Sequence, residues 1–358
     1  MSQRLTIAVT GLNATDNPGP GVSVIRALLH SNRLDARIVG LCYDALEPGI
    51  YARGLCDDIF LIPYPSEGRE ALFSRLEHIH ETTPIDVIIP TLDSELLAFI
   101  ALEEALGELG IGMFLPTRAQ LEERSKARLH ELAERTGLPV PASCAVTSES
   151  QLRSVGEELG YPLVVKGPYY GAKVAQSHVE ACHAFHRMVA EWGHPVIAQR
   201  HVIGDEVCVV AVGDGRGGSI GGVPMKKTFI TDKGKGWAGI TIRDPGLDEL
   251  TQRFMSETRW RGPCEIEVIR DGEGGYHILE VNPRFPAWVY LAAGAGMNLP
   301  LAVVYLAAGG PVPVMSAYQV GTMFVRIAID QIADLETLSA ISMVGELHRQ
   351  NEETKEVA

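Results

Sequence analysis

Glu265 and Glu267 alternate with apolar residues in Cys264-Glu265-Ile266-Glu267-Val268-Ile269, and Glu280 and Asn282 close a second such run beginning Tyr276-His277-Ile278-Leu279. Asp271-Gly272-Glu273-Gly274-Gly275, rich in turn formers, separates them. Period-two runs around such a turn predict a β-hairpin. Residues two apart then share a face and lie beside their cross-strand partners, which sets Glu265 and Glu267 next to Glu280 and Asn282. Carboxylates gathered this way repel one another unless a cation sits among them. A hard divalent ion meets that need, and Mg²⁺ takes one or two carboxylates while keeping waters and substrate phosphates as its other ligands. Glu267, Glu280 and Asn282 fit that count. Arg284 follows Pro283, whose fixed φ stiffens the chain where a permanently charged fork can face an oxyanion. From spacing alone, an edge hairpin with solvated acids is an equal reading.

The elements that must position these groups are drawn from 358 residues, 46% of them hydrophobic, enough for two or three packed domains. A formal charge of −14 argues against nonspecific binding to nucleic acid or an anionic membrane. A polyanion would have to be held by local lysines and arginines. Six cysteines, at 42, 56, 144, 182, 208 and 264, show no zinc spacing and read as free thiols of a reducing cytosol. Met1-Ser2-Gln3-Arg4 precedes a short strand and lacks the apolar run of a signal peptide, which places the protein in the cytoplasm. Residues 285–324 carry no charge, but repeated Gly and Pro divide them into short pieces, so buried helices are expected there rather than a membrane span.

In chain order, apolar runs at 5–11, 36–41 and 87–90 read as parallel strands, alternating with helices over 22–29, 69–80 and 96–109 in a doubly wound opening. Gly11-Leu12-Asn13 lacks dinucleotide-binding glycine spacing. Asp93 or Ser94, between strand and helix, reads as an N-cap. A helix is predicted over 116–135, stopped by Gly137-Leu138-Pro139-Val140-Pro141, and Lys126 within it reads by itself as a solvated charge. Lys166 ends the strand-like Pro162-Leu163-Val164-Val165-Lys166-Gly167, and a lysine on a strand built for burial calls for an anion. His201 stands alone and reads as structural. An amphipathic helix over 247–261 leads into the hairpin, and the charged tail 351–358 is expected to fray.

Glu280-Val281-Asn282-Pro283-Arg284, with Glu267 thirteen residues upstream, resembles the metal-binding hairpin of the ATP-grasp superfamily, especially its carbamoyl-phosphate synthase large subunit and biotin carboxylase branch. The resemblance extends over nearly the whole chain. It implies an α/β and α+β fold: an ATP-grasp fold with an N-terminal doubly wound parallel-sheet domain at 1–115. The small lobe and connecting helices would follow at 116–195, the large lobe with the metal-binding hairpin at 196–315, and a C-terminal extension at 316–358.

By that resemblance Lys126 reaches the ATP phosphates and Lys166 the α-phosphate. Pro168-Tyr169-Tyr170-Gly171-Ala172-Lys173-Val174 takes the place of the glycine-rich lid, with backbone N–H groups at Gly171 and Ala172 for phosphate. Pro168 and the two tyrosines depart from the family's usual glycine and serine richness. The segment 195–210 is similar to the hinge between lobes, with backbone groups of Arg200 and Val202 for the adenine edge and Gln199 where relatives often carry Glu. Glu206 matches the ribose-binding acid. Lys226 or Lys227 faces the phosphates, with Lys227 preferred, while Lys233 and Lys235 lie in a loop open to solvent. Glu267, Glu280 and Asn282 become the Mg²⁺ (or Mn²⁺) ligands and Arg284 the catalytic residue. In similar proteins the N-terminal domain helps hold the non-nucleotide substrate, which makes Asp93 and Glu95 candidates.

The resemblance implies an ATP-dependent ligase that activates a small-molecule carboxylate as an acyl phosphate and couples it to an amine, with ADP and phosphate released. Homodimers are common among similar proteins; nucleic acid and membrane are not expected partners. Two alternatives stand beside it: a bicarbonate-activating carboxylase or carbamoyl-phosphate former, and a nucleotide-binding module without turnover.

Overall fold

Four short runs of Val, Ile, Leu and Ala open the fold as a parallel sheet in the computed structural model, which describes residues 4–15, 17–168, 171–231, 236–315 and 317–349. They are β1 (Leu5–Thr10), β2 (Ala36–Cys42), β3 (Asp58–Leu61) and β4 (Val87–Ile89), side by side in the order β3-β2-β1-β4. Helices α1 (Gly21–Leu29), α2 (Pro48–Tyr51), α3 (Arg69–Thr82) and α4 (Leu96–Glu108) alternate with them. Ile7, Ala8, Val9, Ile38, Val39 and Val87 are buried, as parallel strands covered on both faces require.

The helix predicted over 116–135 is two helices, α5 (Arg118–Glu123) and α6 (Leu129–Thr136). Thr117 and Gln120 form a capping box at the start of α5, and Gly137, at φ +65°, closes α6. The turn between them lets Arg124 and Lys126 reach acids inside the fold, which an unbroken surface helix would hold apart from them.

A four-stranded antiparallel sheet comes next, in the order β5-β8-β6-β7: β5 (Ser143–Val146), β6 (Leu163–Lys166), β7 (Ala172–Ala175) and β8 (Val196–Arg200). It packs on α7 (Glu149–Leu159) and α8 (His178–Trp192), N-capped by Ser148 and Ser177, through a separate core that includes Leu152, Val165, Phe185 and Ala198.

The large sheet holds β9 (Gly204–Asp214), β10 (Ser219–Ile230), β11 (Gly236–Thr241), β12 (Arg261–Asp271), β13 (Tyr276–Asn282) and a late strand, β14 (Met323–Val325), in the order β13-β12-β9-β10-β11-β14. One face packs on α9 (Pro245–Thr258), around Phe254 and Trp260. The other shares a core with the parallel sheet, in which Ile7, Val9 and Ile38 join Cys208, Val210 and Phe285. The uncharged stretch forms α10 (Tyr290–Gly294) and α11 (Leu299–Ala307), largely buried in that shared core; no helix among the described residues is long and apolar enough to cross a membrane.

The C-terminal segment contributes to both large bodies. After α12 (Leu335–Ser339), β15 (Glu346–His348) adds antiparallel to β3 at the edge of the first sheet, whereas β14 extends the six-stranded one. Residues 351–358, with Tyr169, Tyr170, Lys233 and Lys235, lie outside the described residues.

Candidate active site

Strands β12 and β13 form the expected hairpin, with Glu267 opposite Glu280 and Glu265 opposite Asn282. A register shift directly after Glu267 marks a bulge, which bends a strand and re-aims its side chains. Glu265 is buried. Its carboxylate accepts from Trp288 Nε1 at 2.6 Å and Asn282 Nδ2 at 3.0 Å, and Arg284 Nη1 lies 3.6 Å away. Burial raises its pKa, repulsion from Glu267 adds to the rise, and Arg284 opposes it. Asn282 also donates to Glu267 Oε1 at 3.1 Å, so its amide nitrogen is committed to two carboxylates and Oδ1 is the atom left to ligate.

Each remaining acid faces a lysine. Lys227 Nζ lies 2.9 Å from Glu267 Oε2 and 3.2 Å from Glu206 Oε2, while Lys126 Nζ lies 3.3 Å from Glu280 Oε2. Burial works against the Lys227 charge, but Glu267, Glu206 and Glu265 outweigh it and hold the ammonium above the ordinary lysine range. Lys226, on the other face of β10, pairs instead with the exposed Asp205 at 2.9 Å. Lys166, at the end of β6, is pushed down to about 8 by burial, with Glu280 opposing and Lys126 assisting.

Arg284 is held by a carboxylate and a backbone carbonyl. Its Nε donates to Asp93 Oδ2 at 2.8 Å and its Nη1 to Phe285 O at 3.3 Å. Burial opposes its charge, and Asp93 and Glu265 more than restore it. Asp93 is therefore a bridging group and not the N-cap that local sequence predicts: its second oxygen faces Arg124 Nη2 at 3.5 Å. Arg124, whose Nη1 also donates to Val281 O at 3.4 Å, escapes sequence reasoning because it follows Glu122 and Glu123 and looks solvated. Glu95 is structural. Its buried carboxylate accepts from Thr91 N at 2.7 Å, Leu92 N at 2.8 Å and the Thr10 and Tyr43 hydroxyls, tying the turn after β4.

The remaining candidates lie on the four-stranded sheet and its exit. Gln199 is buried on β8 between Ser143 and Val164. Arg200 N–H donates to Ala142 O at 2.8 Å, so of its two backbone groups the donor is already engaged. Val202 stands in the 201–203 link between β8 and β9, beside His201, whose buried Nδ1 has no hydrogen-bond partner among the described residues. Gly171, at φ +81°, accepts from Gly167 N at 3.0 Å, and exposed Ala172 lies opposite Lys166. That positive φ favours glycine over any other residue.

The donor set suits Mg²⁺. Among the described residues no three His, Cys, Asp or Glu side chains converge as a closed metal cage. Two facing carboxylates and one amide oxygen would leave half of an octahedral shell to water and phosphate oxygens, as this ion prefers.

No family model matches the chain. Over 200 residues, 52% of its length, it is 27% identical to the carbamoyl phosphate synthase large chain of Agathobacter rectalis, of which it spans 18%. Over 163 residues, 41% of its length, it is 37% identical to the D-alanine–D-alanine ligase of Bordetella avium. The chain spans about half the length of that ligase, 51%. A biotin carboxylase from Campylobacter jejuni, solved as a β-γ-ATP complex, matches it with a TM-score of 0.70 at 15% identity, covering 90% of this chain and 74% of that one.

Proposed function

We propose that this chain, which has the ATP-grasp fold, is a Mg²⁺-dependent (or Mn²⁺-dependent) ligase that couples a small-molecule carboxylate to an amine at the expense of ATP. One observation carries the reading: Glu267, Glu280 and Asn282 on a single hairpin face are met by Lys126, Lys227 and Arg284, with Lys166 close enough to feel Glu280.

The reacting groups are anions, so catalysis here is positioning and charge neutralisation. Glu267, Glu280 and Asn282 would hold the metal ion, which would supply positive charge against the phosphates. With Glu280 and Glu267 on the metal ion, Lys126 and Lys227 would turn their ammonium groups to phosphate, alongside Lys166 and the Gly171 and Ala172 amides. Gln199, the Arg200 carbonyl and the Val202 backbone would face the base and Glu206 the ribose. Arg284, fixed by Asp93, would orient the substrate carboxylate. A carboxylate oxygen bonds to the γ-phosphorus as the bond to the ADP oxygen breaks. The amine then bonds to the acyl carbon of the resulting acyl phosphate, and phosphate leaves with the displaced electron pair and takes up the proton the amine sheds. Arg284 stabilises the oxyanion formed between these two events.

ADP and phosphate release with a panel of amino acids tests the proposal, and Glu280→Ala protein as active as the parent would remove the metal assignment. The likeness to the carbamoyl phosphate synthase large chain favours bicarbonate as a second candidate for the carboxylate. ADP release that depends on bicarbonate and needs no amine would reverse the order of the two.

A further inference from the structure

Glu265, Asn282 and Trp288 are each 6% exposed and joined by hydrogen bonds beside the acids of the hairpin. By its place on β12, two residues before Glu267 and opposite Asn282, Glu265 has as good a claim to a cation as its neighbours. Its oxygens, however, are already engaged. Oε1 accepts from Trp288 Nε1 at 2.6 Å, and Oε2 accepts from Asn282 Nδ2 at 3.0 Å with Arg284 Nη1 at 3.6 Å. Glu267 Oε1 takes a second bond from the same Asn282 nitrogen at 3.1 Å. A primary amide whose nitrogen is held by two carboxylates has its orientation settled, because the carboxylates accept and only its nitrogen donates.

We infer that Glu265 is a positioning residue for the metal centre: the run of hydrogen bonds from Trp288 through Glu265 to Asn282 decides which end of the Asn282 amide meets the cation. This rests on the metal assignment proposed above. Asparagine can present C=O or N–H₂ in nearly the same outline, and only the oxygen ligates a hard ion. Groups that orient a ligand in this way are worth roughly tenfold to a hundredfold in metal affinity. Because Oε2 also faces Arg284, one buried carboxylate keeps a metal ligand and the substrate-orienting arginine side by side.

Mn²⁺ binding in the presence of a non-hydrolysable ATP analogue, read by electron paramagnetic resonance, tests this without turnover. Glu265→Gln keeps the outline but replaces one acceptor with a donor. Trp288 can only donate, so it keeps the glutamine oxygen, and the glutamine N–H₂ then opposes Asn282 Nδ2. Turning Asn282 Oδ1 inward relieves that conflict and takes the oxygen off the metal position. Affinity should fall about tenfold to a hundredfold. Trp288→Phe alters no charge and should still lower affinity by about threefold or more, since Glu265 loses the donor that aims it. Adding Asn282→Asp to Glu265→Gln gives the glutamine amide an acceptor, leaves the other oxygen for the metal and restores the total charge. That double variant should return to within about threefold of the parent. Parent affinity in Glu265→Gln overturns the proposal, as does parent affinity in Trp288→Phe, which would mean that the charge at 265 is felt and its aim is not. A double variant that melts like the parent yet binds no better than Glu265→Gln also overturns it. If Glu265→Gln does not fold, Trp288→Phe decides. Glu280→Ala separates this proposal from the one it rests on: Mn²⁺ lost there but kept in the Glu265 and Trp288 variants sinks the positioning role alone, and Mn²⁺ kept in Glu280→Ala sinks both.

Discussion

Nucleotide affinity should fall about tenfold between pH 7 and pH 9, because of Lys166. Burial holds its ammonium at about 8 in the ligand-free protein, while Lys227, flanked by acids, stays charged throughout that range. A triphosphate beside Lys166 favours the charged form and returns its pKa to roughly the ordinary lysine value of 10.4. Below pH 8 the free protein already holds the proton, so affinity is flat. Above it the proton must be regained on binding, and the apparent Kd grows by about one factor of ten per pH unit, close to 1.4 kcal/mol. At pH 8, binding should take up about half a proton per site. Calorimetry with a non-hydrolysable ATP analogue, at fixed Mg²⁺ in two buffers of different ionisation enthalpy, reads both quantities. Lys166→Arg, charged at every pH used, should flatten the profile. A parent Kd constant from pH 7 to 9, or the same slope in Lys166→Arg, refutes the reasoning.

Three further outcomes follow from the geometry. Glu280→Ala should weaken nucleotide-dependent Mn²⁺ binding, read by electron paramagnetic resonance, by about tenfold or more, since one of the two proposed carboxylate ligands is gone; unaltered binding would exclude Glu280 from the metal site. Asp93→Asn loosens Arg284, so turnover should drop at least about tenfold with KM for ATP unchanged, the size of one charge-assisted hydrogen bond; a rise in KM for ATP alone would place Asp93 elsewhere in function. Glu95→Ala leaves two backbone N–H groups and two hydroxyls without their acceptor and should destabilise the fold by at least about 2 kcal/mol in urea titration, whereas a change below about 0.5 kcal/mol would contradict its role.

The hairpin was legible because period two and a turn of five residues set its register locally, and Lys166 because a charge on an apolar strand is conspicuous in sequence. Asp93 was not, since a short acid between strand and helix has the signature of a cap, and its real partner, Arg284, lies 191 residues away. The helix break at Arg124 is hidden for the same reason: no Gly or Pro falls between Arg118 and Thr136 to mark it, and the acids that draw Arg124 and Lys126 inward come from other units. That Arg200 N–H is already taken requires knowing that Ala142 precedes the strand beside β8. The pairing of β15 with β3 joins chain segments with no local mark of each other, which is why 316–358 reads as a mere extension.

The way apolar residues are apportioned decides which part of the protein can swing. The parallel sheet and the six-stranded sheet share one core, and the C-terminal segment sends a strand to each, so they behave as a single anvil carrying Glu267, Glu280, Asn282 and Arg284. The four-stranded sheet encloses its own core and rejoins the large sheet at 201–203, so it can rotate without exposing apolar surface belonging to the others. Lys166 rides on that jaw and the acids do not. Stiffening 201–203 should therefore slow the entry and exit of nucleotide while leaving the grip on metal as it was.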